Sequence, residues 1–310
     1  MQKRITFRII AGAGLIMLAA IIFQGCKKEG EDLELSAVPV ADFEVVTENA
    51  NNIILVNKSN VPSTPYWSID NGEQKYRGDS IKVNLFFAGT YEIEMVPAGQ
   101  GGIGSSVKKT ITITQSDPEA CISTKARGFI ASCSQKVWKL NPEAGAYKVG
   151  PNVDDGTWWA STAGEVTGRP CEFNDTYTFV FNKTGTFTYD NMGDFYGDGY
   201  IGITSNTGCQ PNSNLSDAQK PWANKDFTYS VSNTGGTAGK GQITVKGVGA
   251  HIGLQKARNG SDATPVNPTW TSITYDVIDM IPDGGGTGHD ILKLGVNIGS
   301  GWWTFTLRSE

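Results

Sequence analysis

The chain has 310 residues, enough for roughly two domains of ordinary size. Glycine is abundant at 38 residues and aromatics make up 10%, while charged residues stand at only 18%; this favours turn-rich β structure over helical bundles or coiled coils. The formal net charge of −5, with no basic stripe, argues against a reader of phosphate backbones, so nucleic acid is not an expected partner.

The first element is a leader. Lys3, Arg4 and Arg8 precede an apolar run from Ile9 to Phe23, the pattern of a charged n-region and an h-region too short for a comfortable permanent span. Residues 1–25 therefore read as a signal peptide. Its removal takes away three cations and moves the formal charge to −8. The run ends in Phe23-Gln-Gly-Cys26, which resembles a bacterial lipobox, with Phe23 where Leu is usual. A lipidated Cys26 implies contact with the membrane through a lipid anchor only. Residues 26–37 read as a flexible tether. Lys27-Lys-Glu-Gly-Glu-Asp-Leu-Glu34 is similar to the acidic export signal of Bacteroidetes surface lipoproteins, and this implies the outer face of the outer membrane.

Residues 38–116 alternate between apolar and polar. Strands are expected at Asp42–Val45, Asn52–Val56, Lys82–Leu85, Thr90–Met95 and Lys109–Thr114, with turns at Asn57–Asn60 and at 70–72. Short strands at this density predict a small β-sandwich. Tyr66-Trp67-Ser-Ile-Asp70-Asn-Gly72, followed by Phe87-Ala-Gly-Thr-Tyr91, resembles the W-x-F-G-D-G and G-x-Y motifs of the polycystic-kidney-disease (PKD) family of Ig-like domains. Ile69 and Asn71 depart from the pattern. The resemblance implies a spacer, with Trp67 as a core residue.

Residues 117–310 hold Cys121, Cys133, Cys171 and Cys209. In an exported chain these read as disulfides, and no C-x-x-C supports zinc. Cys121–Cys133 and Cys171–Cys209 are favoured because each closes a modest loop; the other pairings stay open. Eight strands are expected, at Lys136–Leu140, Asp175–Phe181, Gly185–Tyr189, Lys225–Val231, Gly241–Lys246, Thr271–Val277, Ile291–Leu294 and Gly301–Leu307. The fold expected is therefore all-β, an Ig-like sandwich followed by a larger jelly-roll-like sandwich.

Candidate binding residues centre on Trp158 and Trp159, which lie in a loop rich in Gly, Asp and Asn. A flat indole beside short polar side chains suits a sugar ring, whose C–H face stacks while its hydroxyls hydrogen-bond. Asp154 and Asp155 are the expected polar partners. In Trp302-Trp303-Thr-Phe305, Trp303 shares parity with Phe305 and Leu307 and reads as core. Trp302 reads as outward and as a second sugar contact. Tyr196 and Tyr200 can extend the platform, and Trp222, in a polar loop, is another candidate. Asp190–Tyr200 is the densest run of oxygen donors, and Asp194 and Asp198 are candidates for a structural Ca²⁺; no other cofactor is expected.

The segment from Cys133 to Arg308 carries Trp138-Lys-Leu, Gly150-Pro, Trp158-Trp159, Asn174-Asp-Thr-Tyr-Thr-Phe179, Gly185-x-Phe187, Ala250-His-Ile-Gly253 and Trp302-Trp303. Together these look like the glycan-binding modules that follow PKD domains in surface lipoproteins and laminarinase-type proteins of Bacteroidetes. The resemblance implies a non-catalytic capture protein of the outer-membrane glycan-import machinery, with β-1,3-glucan such as laminarin as its polysaccharide. The sequence lacks the Glu-x-Asp-x-x-Glu strand of laminarinases and any G-x-S-x-G elbow to accompany His251 or His289. Asp226 and Asp276 remain as a distant carboxylate pair. The alternatives are a structural or adhesive lipoprotein with a protein partner, and a secreted glycoside hydrolase.

Overall fold

The computed structural model describes residues 35–70, 72, 75–223, 225–262 and 267–310. Cys26 and the leader lie outside the described residues, as does Asn71. Contacts divide the described chain into two compact units, one of residues 35–44, 56–81 and 93–109, the other of residues 45–55, 82–92 and 110–310.

The N-terminal strands are β1 (Phe43–Thr47), β2 (Asn52–Asn57), β3 (Thr64–Ile69), β4 (Lys75–Arg77), β5 (Ser80–Asn84), β6 (Gly89–Gly99), β7 (Gly102–Ile103) and β8 (Val107–Ile113). They form a three-stranded sheet β1-β2-β5 and a five-stranded sheet β4-β3-β6-β7, with β8 on β6. In the first unit Trp67 projects from β3 and is 1% exposed. Phe43 of β1 meets it edge-on with ring centroids 5.3 Å apart. The indole N–H donates to the carbonyl of Gly78 at 2.9 Å. Trp67 is thus a core residue with its one polar atom satisfied, as a buried indole requires.

The second unit is dominated by one closed sheet. From residue 135 onward the strands are β9 (Gln135–Leu140), β10 (Tyr147–Gly150), β11 (Trp159–Ala160), β12 (Thr176–Val180), β13 (Thr186–Asp190), β14 (Asp194–Gly197), β15 (Gly208–Pro211), β16 (Asp226–Ser232), β17 (Gln242–Lys246), β18 (Ser272–Ile281), β19 (Ile291–Asn297) and β20 (Trp302–Ser309), with β14 and β15 paired in a separate two-stranded sheet. The order β9-β12-β13-β16-β17-β18-β19-β20 follows the sequence, and β20 pairs back onto β9, with Leu307 opposite Leu140 and Ser309 opposite Trp138. These eight staves are the eight strands that alternation predicts. Their arrangement corrects the jelly-roll expectation. Alternation specifies one buried face per strand, which a two-sheet sandwich and a closed ring satisfy equally well. The edge pairing of β9 with β20 decides for an up-and-down antiparallel barrel.

The barrel interior is packed rather than hollow. Trp138, Tyr177, Phe179, Phe187, Tyr275 and Phe305 are almost fully buried, and Phe179 stacks on Phe187 at 4.7 Å. The segment Ala250–Leu254 fills the remaining space. Its backbone N–H groups at Ile252 and Gly253 donate to the hydroxyls of Tyr275 and Tyr177, on strands well apart around the ring. Gly253 has φ of +74°, and a Cβ there would lie 2.4 Å from the ring of Phe305. Only glycine fits that approach. The short helix α1 (Ala126–Ala131) carries Phe129 against Trp138, whose indole N–H donates to the carbonyl of Ile130 at 2.8 Å. Disulfides join Cys121 to Cys133, on either side of α1, and Cys171 to Cys209.

Candidate functional site

Strand β10 continues the line of β9 along β20, but its other edge pairs with β11 instead of β12. The ring therefore opens where β10 and β11 splay away. A cleft of about 350 Å³ sits there, lined by the aromatic rings of Trp158, Trp159, Trp303 and Tyr200, with Val149 and Leu254 beneath them. Leu254 belongs to the segment that fills the barrel, so the plug also floors the cleft.

Each indole is set by its backbone. The Trp158 N–H donates to the carbonyl of Val149 at 3.1 Å. Its ring lies across Gly301, where a Cβ would come within 2.5 Å of it. Trp158 is 52% exposed, an unusual position for an indole with no partner to cover it. Trp159 sits on β11 opposite Val149 and meets Trp303 with centroids 6.0 Å apart at 61°. Trp303 in turn lies parallel to Phe305. Its ring N–H donates to an Asp262 carboxylate oxygen at 3.4 Å, and the Lys256 ammonium sits 5.1 Å above its face.

The rim is charged and balanced. Arg169 approaches Asp198 at 3.8 Å and Lys256 approaches Asp262 at 3.8 Å. Both pairs are longer than a good charge-assisted hydrogen bond, so each retains donors and acceptors for a third party. Arg169 is held from behind. It contacts Glu172 at 3.3 Å and lies 4.0 Å over the ring of Tyr196. Glu172 sits on α3 (Pro170–Phe173), which follows α2 (Ala163–Gly168) and is tied down by the Cys171–Cys209 disulfide. Burial raises the Glu172 pKa, and Arg169 pulls it only partly back. The Tyr200 hydroxyl donates to Glu172 at 3.1 Å, which fixes the ring that lines the cleft.

The expected site residues separate into two groups. Trp158 and Trp159 line the cleft together with Tyr200 and Asp198. Tyr196 does not line it and instead supports Arg169. Trp302 is half-buried on the face opposite Trp303 and stays outside it. Asp155 is occupied locally, accepting from the backbone N–H of Thr157 at 2.8 Å and from its hydroxyl. Asp154 turns away from the indoles to bridge Lys148 at 2.8 Å and Lys293 at 2.9 Å. Trp222 is corrected outright. It is 2% exposed and packs with Phe195, Ile201 and Leu215 in a satellite core, because a 3-10 turn at Lys220–Ala223 tucks the ring inward.

The two carboxylates of the expected calcium pair lie apart along the chain. Asp194 opens β14 and Asp198 follows its last residue, about 13 Å away at strand spacing. Asp198 accepts from the backbone N–H of Gly199 and faces Arg169. Burial raises the Asp194 carboxyl's pKa. Among the described residues, no group of three or more His, Cys, Asp or Glu side chains is disposed to hold a metal ion.

Sequence reasoning missed Arg169, Lys256 and Asp262, and it placed Trp303 only in the core. The one signal available was proximity: Lys256 and Asp262 follow Ala250–Gly253, and Arg169 precedes Cys171.

No family model matches the chain, and no curated protein matches it. Among solved structures, the PKD1 domain of the Vibrio cholerae metalloprotease PrtV is similar over 25% of this chain and 99% of its own length, at 22% identity and a TM-score of 0.23. The PKD1 domain of Vibrio anguillarum Epp is similar over 26% of this chain and 99% of its own, again at 22% identity and a TM-score of 0.23.

Proposed function

We propose that the chain is a non-catalytic polysaccharide-binding lipoprotein, anchored through Cys26 on the outer face of the outer membrane and working with the glycan-import machinery. The N-terminal sandwich serves as a spacer, and the barrel holds the site. One observation carries the reading: a half-exposed Trp158 forms an aromatic ledge with Trp159, Trp303 and Tyr200 inside a cleft whose polar rim is charge-balanced. Stacking on an aromatic face contributes about 0.5–1.5 kcal/mol beyond area burial, so a few rings give weak binding that a long polymer multiplies across many copies. A rim with equal charges of both signs favours a neutral sugar, and β-1,3-glucan such as laminarin is the ligand proposed.

Neither Asp198 with Asp262 nor the distant pair Asp226 and Asp276 supports a hydrolytic role. Asp198 and Asp262 face cations, as described above. Asp226 and Asp276 lie at different levels of the sheet, since Asp276 is level with Gln242 and Ser232 while Asp226 is six residues away along β16. That is about 20 Å at strand spacing, beyond either hydrolytic geometry. The test is electrophoresis of the full chain in detergent through gels containing laminarin. Retarded migration without release of reducing ends is expected. Unretarded migration on a panel of neutral β-glucans would remove the reading, and reducing-end release would favour a hydrolase.

A further inference from the structure

A second cleft in the second unit lies on the opposite face of the same strands. It encloses about 580 Å³ on the outer wall of the barrel. Strand alternation builds it. Val149 and Trp303 point to the aromatic cleft, while Lys148 of β10 and Thr306 and Arg308 of β20 point outward with Ile291 and Lys293 of β19. Cross-strand register sets Arg308 beside Ile291 and Thr306 beside Lys293. Loops at 141–146 and 284–289 wall the floor and add Asn141, Glu143, Thr287 and His289.

Two features set this cleft apart from an ordinary solvated surface. The Nε atom of Arg308 is buried and has no hydrogen-bond partner, and no ion pair is formed by this guanidinium among the described residues. With Nε sealed from solvent, the terminal Nη groups are the part of this fork that a ligand in the cleft can meet. The second feature is Asp154. It reaches over from the loop that carries Trp158, accepts from Lys148 and Lys293 with one oxygen each, and is held by its own backbone N–H donating to the Thr304 hydroxyl at 2.9 Å. Burial opposes the Asp154 charge, yet the two lysines outweigh it and keep the carboxyl below its ordinary range. A carboxylate thus already sits against two of the three cations, with the third left open.

We propose that the outer-wall cleft is a second binding site, for a carboxylate-bearing sugar of the hexuronate type. The planar Arg308 fork receives the ligand carboxylate, as guanidinium geometry favours. Thr287, Thr306, Asn141 and Glu143 receive its hydroxyls. The site does not depend on the aromatic cleft and stands whether or not that cleft binds neutral glucan.

The experiment is calorimetric titration of the full chain in detergent with a linear galacturonate trimer, with the neutral galactose trimer and sodium sulfate as comparisons. The uronate trimer is expected to bind saturably, with affinity falling as salt rises. Arg308→Gln should weaken it tenfold or more, and Lys293→Gln several-fold. Asp154→Asn should tighten it several-fold by releasing two lysines. Asp154 has φ of +56°, a conformation that Asn tolerates, so this variant keeps its backbone. Trp158→Ala should leave uronate binding unchanged. The proposal is overturned if the uronate trimer does not saturate, if the neutral trimer or sulfate binds as well, or if folded Arg308→Gln and Lys293→Gln both bind like the parent. Should Arg308→Gln fail to fold, the opposite shifts expected of Lys293→Gln and Asp154→Asn decide alone.

Discussion

The interior of the barrel and its mouth are built from the same kinds of side chain, yet they do different work. Inside, Trp138 and His251 are sealed, and the polar atoms of Trp138, Tyr177 and Tyr275 are spent on the protein's own backbone. At the mouth, Trp158 has a free face and the charged pairs stand apart at 3.8 Å. A ring sealed inside contributes to stability, and one with an exposed face is available to a ligand. Substitutions inside should therefore cost folding, and substitutions at the mouth should cost binding. Each prediction below can break that division.

The largest effect is expected at Trp138, which is 0% exposed and contacts Phe129 while hydrogen-bonding α1. Trp138→Ala should destabilise the barrel by about 3–5 kcal/mol, from lost burial and the cavity left behind. A urea titration followed by tryptophan fluorescence measures it. An unshifted midpoint would mean that the interior is not the packed core described above.

His251 tests the interior through pH. Its ring is fully buried between Tyr189 and the carbonyl of Gly249, and burial lowers its pKa to about 4 from 6.5. The unfolded chain therefore binds this proton more readily than the folded one. The stability that the neutral ring supports is complete above about pH 6.5 and declines as pH falls towards about 4, by an amount on the order of 3 kcal/mol. Glu172 and Asp175, whose carboxyls burial raises, work in the opposite sense. Subtracting the pH–stability curve of His251→Gln from that of the parent isolates the histidine. A flat difference curve would show that the ring is solvated.

At the mouth, Trp158→Ala should remove most of the gel retardation, a loss on the order of 1–2 kcal/mol in binding, and leave the urea midpoint nearly unchanged. A large fall in stability would place Trp158 with the interior residues and erase the division. Retention of full binding would move the ledge to Trp303 and Tyr200.

Much of the strand pattern is legible in the sequence, because alternation with a period of two is a local signal. The closure of the sheet is not. It depends on Leu140 finding Leu307 across most of the second unit, and no local rule distinguishes that from two stacked sheets. The tryptophans show the same limit. Trp303 is placed correctly in the core by strand parity, as Trp67 is by the PKD resemblance, but parity cannot tell that the core opens at Trp303, which is 5% exposed and still lines the cleft. Trp222 misleads because a loop sequence says where the backbone runs, not which way a 3-10 turn points its ring. Arg169 lies far along the chain from the segment that carries Lys256 and Asp262, and only the folded barrel brings them together. The two disulfides are the exception among long-range features, because they are the pairings that close modest loops.

The smallest effect is expected from the rim, and it separates stacking from charge at the mouth. Asp262 holds Lys256 loosely and accepts from the Trp303 indole at 3.4 Å. Asp262→Asn keeps an acceptor for the indole but removes the charge opposite Lys256. Ion pairs exposed to this degree are worth about 0–1 kcal/mol, so neutral glucan binding should change by less than that. Raising the ionic strength should also leave the retardation of the parent protein nearly constant, since a ligand without charge gains nothing from a screened rim. A steep salt dependence, or a loss at Asp262→Asn as large as that of Trp158→Ala, would mean that the mouth binds through its charges. The indoles would then act as walls, and the ligand would have to carry a charge of its own.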